Sequence, residues 1–188
     1  TAGALEYDGV VFYGTPTAGA RALNVNRQFS IVPAGDFNLA TTSGVQSCFP
    51  TTGDVWTLDA TTAYFFEGVY FITHTTSTCT VALAFPTSGS ITSIAYKVDS
   101  VIQAAGNGAP VAPITTYVNQ IASTVVTATS TDGWMISFKG ILRMNGAGTI
   151  TPQINFSGNT TAPVMKVNSW IQFEALGTNT QNVLGAVA

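Results

Sequence analysis

The chain has 188 residues and a net charge of −3, with 46% hydrophobic residues and only 8% charged, against about 25% charged in an ordinary soluble domain. That length and apolar content fit one compact domain with a sizeable core and exclude a disordered chain. The six basic residues (Arg21, Arg27, Lys97, Lys139, Arg143 and Lys166) form no stripe to neutralise phosphates, and no apolar run approaches the roughly 20 residues of a membrane helix, so neither nucleic-acid binding nor membrane insertion is expected.

The first 28 residues differ from the rest. Gly3, Gly9, Gly14 and Gly19 recur, Pro16 interrupts them, and no long alternating run forms. Residues 1–28 are expected to be a short extended arm or small hairpin, and 29–188 a β-sandwich head. Thr1 to Glu6 has neither the basic leader nor the apolar stretch of a signal peptide. With no initiator Met, the chain is expected to be a piece of something longer.

Strand patterns dominate from there on. Val10 to Tyr13 and Phe29 to Val32 are weak candidates, and Asp54 to Asp59 a clearer one. Tyr64 to His74, YFFEGVYFITH, is apolar on both faces, as expected of a strand packed between layers. Cys79 to Phe85 and Ile91 to Val98 follow. Tyr117, Ile121 and Val125 recur every four residues, which allows a short helix, but the Thr-Val-Val-Thr run favours a strand.

Trp134 to Met144, WMISFKGILRM, alternates with period two, and Thr149 to Phe156 does so again after the turn signal Asn145-Gly146-Ala147-Gly148. These two runs are expected to form a hairpin. Ser169 to Leu176 and, more weakly, Asn182 to Val187 close the chain. Short strands separated by Gly- and Pro-rich turns point to an all-β antiparallel sandwich or barrel.

Few groups suggest chemistry. His74 is the sole histidine, and no serine sits in a nucleophile elbow, so His74 is expected at a strand edge or an interface. Among nine acidic residues Glu67 stands out, because it lies mid-strand on the face of Phe65, Val69 and Phe71. A carboxylate there must be paired or at a contact, with Lys139, Lys97 or Arg143 as candidate partners. Cys48 and Cys79 allow one disulfide, although two free buried thiols are the preferred reading. No zinc or calcium spacing is present, and no cofactor is expected. Trp56, Trp134 and Trp170 occupy alternating runs, where core packing is the default. Tyr7, Phe12, Tyr13 and Tyr117 lie in less regular segments and join Glu67 and His74 as surface or interface candidates.

Four segments carry a resemblance. Ala2 to Pro16 (AGALEYDGVVFYGTP), Tyr64 to Ile72 (YFFEGVYFI), Phe138 to Ser157 (FKGILRMNGAGTITPQINFS) and Val167 to Gly177 (VNSWIQFEALG) resemble segments of phage and prophage tail-fibre-like proteins. The resemblance implies a jelly-roll-like β-sandwich similar to complement C1q and tumour-necrosis-factor heads. It also implies a homotrimer on a virion surface, with other virion proteins as partners and no agreed catalytic residues. With no long stalk expected ahead of Ala2, a tail-fibre or spike tip and a capsid decoration both fit the resemblance. The leading expectation is therefore a non-enzymatic phage virion module for host attachment, with a host-surface glycan as a further partner, or for particle stabilisation. The alternative is a carbohydrate-binding module of a secreted protein, and a third reading is a polysaccharide-degrading enzyme built on paired carboxylates.

Overall fold

The computed structural model describes residues 5–7, 12–17, 20–25, 28–50, 54–75, 78–102 and 113–180. All regular structure among them is β. In chain order the strands are β1 (Leu5–Tyr7), β2 (Phe12–Thr17), β3 (Ala20–Val25), β4 (Gln28–Ile31), β5 (Phe37–Asn38), β6 (Gly44–Ser47), β7 (Trp56–Leu58), β8 (Thr62–Thr75) and β9 (Val81–Ala84). They continue with β10 (Ile91–Ile102), β11 (Ile114–Val118), β12 (Thr124–Val125), β13 (Gly133–Met144), β14 (Gly148–Ile150), β15 (Gln153–Phe156), β16 (Thr161–Met165) and β17 (Trp170–Thr178). The Tyr117 to Val125 stretch is thus extended at both ends, with a bend between β11 and β12 rather than a helix. Asn182 to Val187 lies outside the described residues.

Two antiparallel sheets pack into a sandwich. The larger runs β11-β10-β13-β8-β16-β5, with β17 pairing both β8 and β4. The smaller runs β12-β9-β15-β6. β7 and β14 form a separate ladder, and β1, β2 and β3 form a small antiparallel sheet of their own in the segment expected to be an extended arm.

Alternation builds the core. From β13, Trp134, Ile136, Phe138, Leu142 and Met144 are buried, and from β15, Ile154 and Phe156 face them. Phe66 of β8 sits among Phe85, Tyr96, Phe138 and Phe173, with ring centroids 5.3 to 6.3 Å away. Cys48 and Cys79 are buried free thiols. The second face of β8 departs from expectation. Phe65, Glu67, Val69 and Phe71 are only half-buried, so this strand is not sealed on both sides.

The expected hairpin is not formed. β13 lies between β10 and β8, whereas β14 pairs β7, and β15 pairs β9 and β6. Local contacts explain the difference. The turn amides of Asn145 and Gly146 both donate to the Ser90 carbonyl, at 2.9 and 3.1 Å, which ties the turn to another loop instead of folding it back. Gly148 serves that loop-to-loop contact: a Cβ there would lie 2.2 Å from the Gly89 nitrogen. Pro152, which cannot donate, then divides the second run into β14 and β15.

β8 shares one edge with two strands in tandem. β17 covers Thr62 to Val69 and β16 covers Ile72 to Thr75. Phe71 falls in the gap. Its N–H donates to the Ser169 hydroxyl at 2.9 Å, and its carbonyl accepts the Lys166 amide at 2.8 Å. Asp36 clasps the same turn by pairing with Lys166 and accepting the Val167 amide. Ser169 is fully buried, so Ser169→Ala leaves the Phe71 N–H unsatisfied. The expected loss is about 1–3 kcal/mol of unfolding free energy, read by denaturant titration; an unchanged midpoint would show that the Ser169 bond is dispensable.

Candidate functional site

The outward face of the larger sheet holds the most distinctive arrangement. Strand register sets it out in rows. One row crosses five strands: Tyr117 of β11 opposes Lys97 of β10, which opposes Lys139 of β13, Glu67 of β8 and then Gln172 of β17. The next row runs Thr115, Asp99, Ser137, Val69 and Trp170. A third holds Val101, Met135 and Phe71.

Between the first two rows lies an open depression of about 200 Å³, bordered by Glu67, Lys97, Asp99, Ser137, Lys139 and Trp170. The Gln172 amide donates to Glu67 Oε1 at 2.7 Å and orients that carboxylate. Lys97 Nζ is 2.8 Å from Asp99 Oδ2, and the Thr115 hydroxyl donates to the other Asp99 oxygen at 2.5 Å. Those two bonds, with the charges of Lys97 and Lys139, hold the Asp99 carboxyl below the usual carboxylate range. Next to the third row is an apolar depression of about 350 Å³, lined by Phe71, Val101, Ile102, Trp134 and Met135.

Sequence reasoning found part of this. Glu67 is on the expected face, but its hydrogen-bond partner is Gln172. Lys139 stands opposite it in register, Lys97 pairs with Asp99, and Arg143 donates to the Asn179 carbonyl at 2.7 Å. Tyr7 and Tyr117 are exposed, at 59% and 70%. Tyr117 joins the end of the polar row. The side chains of Phe12 and Tyr13 lie outside the described residues. Trp56 and Trp134 are core residues as expected, whereas Trp170 is half-buried on the outward face. The signal for Trp170 was its parity: it shares a strand face with Gln172 and Glu174, opposite Ile171 and Phe173.

His74 lies next to the last residue of β8, at the strand end that the sequence suggests, but it is not a surface residue: it is 3% exposed and stacks on Trp134, with centroids 4.7 Å apart and planes 13° apart. Both ring nitrogens lack hydrogen-bond partners. Nothing there resembles a catalytic relay. Among the described residues, no three His, Cys, Asp or Glu side chains gather where they could hold a metal ion.

The fold and the site define an all-β sandwich with an open sheet face that mixes aromatic, polar and charged groups. No family model and no curated protein matches the chain. One solved structure, of infectious bursal disease virus (Gt strain), is similar over 96% of this chain at 9% identity, with a TM-score of 0.23. The chain spans about half of that protein, 52% of its length. At that score the likeness carries no argument about this chain.

Burial holds the His74 imidazole below its ordinary pKa, with the Asp132 charge opposing in part. The folded state therefore takes up a proton less readily than the unfolded chain, whose imidazole protonates near about pH 6.5. Stability from this group is complete above that pH and falls as pH drops below it. The melting temperature is expected to decline between pH 7 and 5. His74→Phe, which keeps the stack on Trp134, should flatten that decline; an unchanged pH profile in the variant would exonerate the histidine.

Proposed function

We propose that this chain is a non-enzymatic surface module of a phage particle. It associates with copies of itself as a trimer and acts as a tail-fibre or spike tip or as a capsid decoration. The observation that carries the reading is the apolar part of the outward sheet face. Met135, at the centre of the largest sheet, is 40% exposed beside Phe71 and Val101. Apolar area at the middle of a sheet, rather than at its rim, suits contact with a further molecule. A copy of the same charge-poor chain fits, because it brings neutral surface that need not be stripped of strongly bound water.

Composition supports the same reading. With 8% charged residues, the chain has little electrostatic repulsion to keep copies apart. The phage assignment is supported by the four resembling segments, two of which, Tyr64 to Ile72 and Val167 to Gly177, lie on the paired strands β8 and β17.

Light scattering at micromolar concentration tests the association. The expected mass is three times the 19.5 kDa of one chain. Met135→Glu should shift the population toward single chains by at least tenfold in concentration, since burying an unpaired carboxylate costs several kcal/mol. A stable monomer would overturn the assembly reading.

A further inference from the structure

We propose that the depression between Glu67 and Trp170 is a binding site for a neutral saccharide. The inference stands on the site itself and does not require that the chain trimerise.

The first observation is a concentration of charge. The whole chain has six Lys and Arg and nine Asp and Glu residues. Four of them, Glu67, Lys97, Asp99 and Lys139, border this one depression on the face of a sheet. Threonine or serine would serve the outward face of a strand equally well, and most of this chain's polar surface is of that kind. Their gathering on one outward face sets this depression apart from the rest of the chain's polar surface.

The second observation is their balance. Two ammonium groups and two carboxylates make the site formally neutral. Lys97 is engaged by Asp99, and Glu67 is oriented by Gln172. An anion entering here meets Glu67 and Asp99 as well as the lysines, and a cation meets the lysines as well as the acids. A purely apolar ligand would strip water from four charges without replacing it. A neutral, hydroxyl-rich ligand has none of these defects. Each hydroxyl both donates and accepts, so it can give a proton to a carboxylate oxygen while taking one from an ammonium or from Ser137.

The third observation is the wall. Trp170 is half-buried on the rim, opposite Val69. The C–H face of a pyranose ring is apolar and packs against the electron-rich face of an indole, while its edge hydroxyls remain in the polar row. The volume, about 200 Å³, is below the ~300–1,000 Å³ of pockets that enclose a small ligand. The depression thus holds one face of a sugar rather than enclosing it. Binding near the millimolar range is expected, and display in several copies would strengthen it.

The site sits on the rigid middle of the sheet. Glu67, Lys139 and Lys97 come from three adjacent strands in direct register. Gly68, between Glu67 and Val69, cannot carry a side chain, because a Cβ would lie 2.6 Å from the Phe138 ring and 2.7 Å from the Trp170 carbonyl. That close approach sets where Trp170 stands relative to the polar row.

The test titrates glucose-, galactose- and N-acetylglucosamine-ended oligosaccharides, and a sialylated one, into the full chain while tryptophan fluorescence is followed. The expected result is saturable binding of at least one neutral sugar, weakened at least tenfold in Trp170→Ala and in Lys139→Ala, both with unchanged melting temperature. The fluorescence response should vanish in Trp170→Ala, although Trp56 and Trp134 remain, so binding to that variant is read by titration calorimetry. No response to any neutral sugar at ten times the millimolar range overturns the proposal. So does full retention of binding in Trp170→Ala, or a tenfold preference for the sialylated sugar. Light scattering on the same samples separates the two readings. A monomer that binds sugar removes the assembly reading and keeps the site. A trimer in which Trp170 is shielded from acrylamide quenching makes the depression a contact between copies and overturns the site.

Discussion

The head depends on β8. This strand is flanked by β13 on one edge, from Ala63 to Thr73, and by β17 and β16 in tandem on the other, with Phe71 in the gap between them. Its inward residues supply Tyr64, Phe66, Tyr70 and Ile72 to the core, all fully buried. Phe66 is the centre of the aromatic cluster, touching rings from β10, β13 and β17 and Phe85 beyond the end of β9. Each such pair is worth about 0.5–1.5 kcal/mol beyond its area burial. Because Phe85 directly follows β9 of the smaller sheet, its contact with Phe66 links the register of β8 to the way the sheets sit on each other.

That register has a consequence on the other face. A strand that turns every second residue inward must turn the rest outward, and β8 is central, so its outward residues stand at the middle of the larger sheet. Phe65, Val69 and Phe71 are apolar there, and Glu67 is not. A one-residue slip of β8 would drive Glu67 into the aromatic cluster, at the cost of an unpaired buried charge. Glu67 thus helps specify the register that builds the core, and the same register aligns it with Lys139, Lys97 and Gln172. Core and site are two faces of one alignment.

Much of this was legible before any coordinates. Period-two alternation located β13, and a run apolar on both faces located β8, while strand-like runs between turn clusters marked β10 and β17. These patterns could not tell which strand pairs with which. The run from Trp134 to Phe156 has the alternation and turn chemistry of a hairpin, yet the Asn145–Gly146 turn is held by Ser90, a partner 55 residues earlier in the chain. Nothing local encodes that bond. His74 misled for a related reason. A polar residue ending an apolar run reads as emerging into water, but the ring is covered by Trp134, itself placed by β13 pairing with β8. Trp170 was misassigned because a tryptophan in an alternating run suggested the core, although its parity with Gln172 and Glu174 placed it outside.

The scarcity of charge acquires its meaning at the site. A hydroxyl- and amide-rich surface makes hydrogen bonds with water and with itself without long-range fields, so the few charges present are not needed for strand formation. Where they occur, they act locally. Lys166 and Asp36 fasten the turn that closes the gap in β8, and Arg143 holds the Asn179 carbonyl at the far end of β17. Each of those has a partner that completes a structural connection. Around Glu67, Gln172 ties β17 to β8 and Thr115 ties β11 to β10, strands that the backbone ladders already join, and Lys139 stands exposed on an ordinary ladder position. Removing all four charges would leave the backbone ladder of β10, β13 and β8 intact. Glu67 also guards the register of β8, but the gathering of all four charges on one face adds little that the ladders lack and is better explained by what the face meets.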